Sequence, residues 1–146
     1  MSSSTETPPE QDPFENSPLT PNLLGMAIGI MDIVVFTMVG YTVFDDLLLG
    51  AIAGLLVGTG AGLFVPVIFA GSAAEGGFAE LETDTDRHPF RSFHRLAAGM
   101  SLGAGGLSYF SVLFAEEAVT IALPVGLLVA AVGYVLLAFA LPNATV

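Results

Sequence analysis

LLLGAIAGLLVGTGAGLFVPVIFA, residues 47–70, carries no charged side chain from end to end. A membrane-spanning helix needs about 20 predominantly apolar residues to cross about 30 Å of hydrocarbon, and this stretch meets that length. A membrane β-strand would alternate apolar and polar residues over about 10 positions, whereas Leu47 to Leu56 is almost continuously apolar. In hydrocarbon each backbone N–H and C=O must be paired within the spanning structure, so a non-alternating apolar segment spans as a helix. Working outward, residues 96–115 and 118–146 are also free of charge, and residues 22–44 contain one charged group, Asp32. The sequence therefore predicts an all-α integral membrane protein, a four-transmembrane-helix bundle with helices at about 22–44, 47–70, 89–115 and 119–141.

Composition points the same way. Of 146 residues, 53% are hydrophobic and 12% charged, against about 25% charged in an ordinary soluble domain. That leaves too little polar surface to cover a globule in water.

The connections set the topology. Asp45–Asp46 and Glu116–Glu117 leave room only for tight turns, so the helices pair as two antiparallel hairpins. The polar stretch 71–88, with Glu75, Glu80, Glu82, Asp84 and Asp86, is the long loop between them. Pro89 suits the first turn of a helix, where its missing N–H is no loss. Phe90, Phe93 and Ala97 then share one face, and Arg91, His94 and Arg95 another. Residues 89–95 thus read as a short amphipathic segment in the membrane interface, leading into a third span at 96–115. Pro142 ends the fourth. Residues 1–21 hold five of the nine prolines and four acids, with no apolar periodicity to offset the entropy of ordering. They are predicted to be a disordered tail ahead of one transmembrane domain, 22–146. The tail has neither the basic nor the apolar region of a signal peptide.

The three arginines, Arg87, Arg91 and Arg95, lie with both histidines between residues 87 and 95. Short cytoplasmic loops carry the Lys/Arg excess, so these arginines read as a topology anchor. They place the 71–88 loop and both termini in the cytoplasm and the two acidic turns outside. Three cations are fewer than the four to eight of a lipid-recognition cluster. The net charge of −11, with no lysine, argues against a nucleic-acid partner. It suits a high-salt milieu, where screening weakens self-repulsion; an extremely halophilic, archaeal source is expected on that ground. With no cysteine, disulfides, thiolate-held metals and thiol catalysis are excluded.

Two features of the spans stand out. Gly50, Gly54, Gly58 and Gly62 recur every four residues on one face of the second helix, with Gly25 and Gly29 in the first and Gly99 and Gly103 in the third at the same spacing. Such zippers of small residues let helix backbones approach closely; the approach is either within one bundle or between copies of the chain. Asp32, near the middle of the first helix, costs about 2.5–3.5 kcal/mol to insert. The eleven Leu, Ile, Val and Phe residues of 22–44 offset that at about 0.3–0.6 kcal/mol each. Asp32 follows Gly25 and Gly29 on one face and is expected to point at a neighbouring helix, with Thr59 at similar depth as its hydrogen-bond partner. It is then either a neutral, hydrogen-bonded strut or a proton or cation site.

Other matches are weaker. Gly99-Met-Ser101-Leu-Gly103 has the spacing of a hydrolase nucleophile elbow, which requires a strand-to-helix turn rather than an apolar helix. His88 and His94 with Asp84 or Asp86 could ligate a metal, but loop histidines of this kind are commonly solvated. The two hairpins share Tyr41, Phe44, Asp45–Asp46 and Tyr109, Phe114, Glu116–Glu117 near their outer turns, a faint internal repeat. No cofactor and no metal are expected.

In size and layout the chain resembles the small multidrug-resistance transporters, four-helix proteins that work as dimers around a carboxylate in helix 1. The resemblance is one of architecture, with no shared motif and no residue role carried over. The leading expectation is a non-enzymatic accessory or scaffold subunit of a membrane assembly. The second is a small proton- or cation-coupled transporter or channel, a homodimer around Asp32; a membrane enzyme comes third.

Overall fold

A computed structural model describes residues 20–73 and 89–140. The predicted tail lies outside these residues except for Thr20 and Pro21, as do residues 74–88 of the loop, including Arg87, His88, Asp84 and Asp86. Four helices make up the described chain: α1 (Pro21–Phe44), α2 (Leu47–Ala73), α3 (Pro89–Glu116) and α4 (Val119–Ala140). Each is long and apolar enough to cross a membrane, and no sheet is present among the described residues.

The helix ends follow from local chemistry. The Thr20 hydroxyl accepts a hydrogen bond from the Leu23 N–H (3.2 Å), and Pro21 occupies the first turn of α1, satisfying one orphan donor and removing another. Asp45 stops α1 in the left-handed conformation (φ 54°), its N–H donating to the Tyr41 carbonyl at 2.9 Å. Asp46 then caps α2 by accepting from the Leu48 N–H at 2.8 Å. The second hairpin repeats the device. Glu117 takes φ 52° and its N–H donates to the Leu113 carbonyl (2.9 Å), while the Ala118 carbonyl accepts from Ile121 and Ala122.

α3 runs unbroken from Pro89 to Glu116, so the amphipathic residues 89–95 form the first two turns of the helix expected at about 89–115. Pro89 sits where a helix tolerates it, and no further proline or glycine interrupts the chain before Gly99. The Arg/His face therefore continues the same helix that becomes apolar beyond Leu96.

α1 packs on α2, α2 on α3 and α3 on α4, while the other pairings are glancing. The result is an open, sequential arrangement in which α2 and α3 are central. Of their most apolar windows 44% and 39% of residues are buried, against 17% for both α1 and α4. The best-packed region lies toward the two tight turns, where Ala53, Tyr109, Leu113 and Ala122 are fully buried. There α1 reaches α3 through aromatic rings: Phe36 on Phe110 edge-to-face at 5.4 Å, and Phe44 on Phe110 and Phe114 at 5.8 and 6.4 Å. Such pairs add about 0.5–1.5 kcal/mol beyond the area they bury.

Candidate functional site

The glycines decide how α1 and α2 face each other. An added Cβ at Gly29 would lie 2.5 Å from the Gly58 carbonyl oxygen, and one at Gly50 would lie 2.3 Å from that of Phe36. A Cβ at Gly54 would meet Ile33 at 2.8 Å, and one at Gly25 would strike the ring of Pro66 at 2.6 Å. Along this seam backbone rests on backbone. Gly62 is looser, its nearest neighbour being the Gly25 oxygen at 3.8 Å. The α2–α3 seam is equally close at one point, where a Cβ on Gly99 would lie 2.7 Å from the Gly60 oxygen. Gly103 differs from all of these, because nothing lies within 4 Å of where its Cβ would be.

Asp32 and Thr59 are set apart by the same seam. Asp32 is half-buried and precedes Phe36 by one turn, on the flank of α1 that turns toward α3. Thr59 is exposed and follows Gly58 on the far flank of α2, where it lines a groove with Met26, Gly29 and Ile30. No hydrogen bond joins them, and Asp32 has no hydrogen bond or ion pair among the described residues. Phenylalanine rings fill the α1–α3 seam near the turns. Gly103 lies two turns before Phe110 on the same face of α3, its Cβ direction empty.

The groove on the opposite flank has a volume of about 520 Å³. Its walls are α1 and α2, and its polar groups are Asn22, Thr59 and, reaching in from α3, Arg95. The Arg95 side chain is exposed and has no ion pair among the described residues. Arg91 lies in the first turns of α3, its side chain outside the described set.

Two polar features were not read from the sequence. The Tyr134 hydroxyl and His94 Nδ1 share a hydrogen bond of 3.0 Å between α4 and α3; residues 40 apart carry no spacing signal for such a pair. Tyr109 is fully buried and its hydroxyl has no hydrogen-bond partner. Ser101 is also buried and donates to the Ala97 carbonyl at 2.6 Å within continuous helix, so the strand-to-helix elbow that a hydrolase serine requires is not formed. Among the described residues, no group of three His, Asp or Glu side chains could hold a metal. The described residues thus form a framework of close backbone contacts that carries Asp32 within a span and a groove bordered by Arg95. No protein-family model matches the chain, and comparisons with curated proteins and with solved structures find no match.

Proposed function

We propose that the chain is an integral protein of the cell membrane, crossing it four times with both termini cytoplasmic, and that it serves as a non-enzymatic accessory or scaffold subunit. The observation that supports this reading is Asp32, half-buried within a span and without a hydrogen bond or ion pair among the described residues. A carboxyl midway along a spanning helix is costly in hydrocarbon, and no described residue binds it. A polar group from a second membrane chain, packed against α1, would satisfy the acid. Ser101, the serine of the elbow-like motif, is buried and bonded within its own helix, which weighs against the hydrolase reading.

Asp32 also favours one alternative, a homodimeric proton- or cation-coupled transporter in which the unpaired acids are the ion sites. One pair of substitutions separates the two. Asn keeps the size and hydrogen-bonding capacity of Asp and loses only its charge. For a scaffold, Asp32→Asn retains the partner that co-purifies in mild detergent, and Asp32→Leu releases it while the helical content stays unchanged. A lone homodimer whose gradient-driven proton or cation flux in liposomes disappears in Asp32→Asn would replace the scaffold reading with the transporter.

A further inference from the structure

The groove between α1 and α2 has a direction. Asn22 and Arg95 mark one end, and Ile33 and Gly58 the other. From Asn22 to Ile33 the helix rises roughly 16 Å, close to half of the about 30 Å hydrocarbon thickness. Counting back from the tight turns, Asn22 precedes Asp45 by roughly 34 Å and Arg95 precedes Glu117 by roughly 33 Å of helix. If the turns lie at one face of the bilayer, both residues therefore stand at the opposite hydrocarbon boundary. The walls between are apolar, with Met26, Ile30 and Leu63 among them. Arg95 is the one Lys or Arg whose side chain is described, and it has no acidic partner among the described residues of a chain of net charge −11. A guanidinium presents a planar fork that matches a phosphate with two parallel hydrogen bonds.

We propose that this groove binds one anionic phospholipid of the cytoplasmic leaflet, its phosphate on Arg95 and one acyl chain laid along Met26, Ile30 and Leu63 as far as Ile33. The inference rests on the membrane-spanning reading and is independent of what Asp32 does. Depth selects a lipid over a free anion, because a phosphate alone would leave one leaflet's depth of apolar wall uncovered. Charge selects an anionic head group over a zwitterionic one, because a lone guanidinium gains most from a phosphate with no cation of its own.

The test uses the full chain. Resistance of the membrane-bound protein to alkaline carbonate comes first; a chain washed off overturns the spanning reading itself. Bound lipid is then counted by native mass spectrometry from a neutral detergent, titrating dioleoylphosphatidylglycerol, dioleoylphosphatidylcholine and inorganic phosphate. One phosphatidylglycerol per chain is expected, in preference to phosphatidylcholine. Arg95→Gln should weaken it roughly ten- to a hundredfold, the range of a hydrogen bond to a charged group, and leave phosphatidylcholine unchanged. Gly62→Leu provides a second variant: its Cβ has room, with 3.8 Å to the nearest atom, but the side chain plugs the groove and should displace the lipid while Arg95 is intact. Equal binding of the two lipids by the parent, unaltered phosphatidylglycerol binding in both variants, or competition by inorganic phosphate at similar concentration would each overturn the site.

Discussion

Placing a methyl group on Gly58 tests the α1–α2 seam directly. In Gly58→Ala the new carbon lies 2.3 Å from the Gly29 carbonyl oxygen and 2.8 Å from Cγ1 of Ile33, whereas ordinary contact begins near 3.4 Å. The oxygen belongs to a helix backbone and cannot rotate away, so α1 must retreat by about 1 Å along a seam where contact energies fall steeply with separation. Overpacking of this kind costs about 1–3 kcal/mol. Alanine returns about 1 kcal/mol of helix propensity relative to glycine, leaving a net loss of up to about 2 kcal/mol. Gly103→Ala is the control, since nothing lies within 4 Å of its added carbon and it should gain up to about 1 kcal/mol from propensity alone. The two variants are thus expected to differ by about 1–3 kcal/mol, or on the order of 5–10 °C in Tm for a domain of this length. Far-ultraviolet circular dichroism of thermal unfolding in detergent measures the difference. Coincident melting of the two variants would refute the close approach of Gly58 to Gly29. A Gly58→Leu protein that folds like the parent but no longer self-associates would move the glycine stripe to an interface between chains.

Tyr109→Phe should stabilise the protein by about 1–2 kcal/mol, because the hydroxyl it removes is buried without a partner and an unsatisfied polar group carries its desolvation cost uncompensated. A lower Tm for this variant would mean that the hydroxyl is hydrogen-bonded in the folded protein. The proposed orientation predicts that single cysteines at Ser3 and Thr145, introduced into this cysteine-free chain, stay unlabelled by an impermeant thiol reagent in intact cells, whereas one at Asp46 reacts. The reverse pattern would invert the topology.

Helix existence and helix ends were legible because each is a local property. Uncharged length gave the spans, and Asp45–Asp46 and Glu116–Glu117 gave the turns: α1 ends at Phe44, α2 begins at Leu47, α3 ends at Glu116 and α4 begins at Val119. The place of Asp32 and Thr59 along their helices was legible in the same way. Their separation was not, because it depends on how two helices rotate about their axes to meet. That rotation is set by which glycines touch and by the Pro66 ring against Gly25, and single-chain spacing says only that a face exists. The groove was hidden for the same reason. Arg95 belongs by sequence to a basic cluster at the head of α3, and only the packing of three helices brings it to the groove that Asn22 and Thr59 also line.

The paired turns bear on how such a chain would enter a membrane. Each hairpin reverses through two residues, Asp45 with Asp46 and Glu117 with Ala118, using the same left-handed acidic stop. In the proposed orientation, the polar material to be carried across the bilayer amounts to a handful of carboxylates at two turns. The acidic loop and both termini remain on the side where the chain is made. Each hairpin could then insert as a unit, with its helices already zipped by local contacts. A translocation apparatus would have only two small polar caps to pass, and no folded segment.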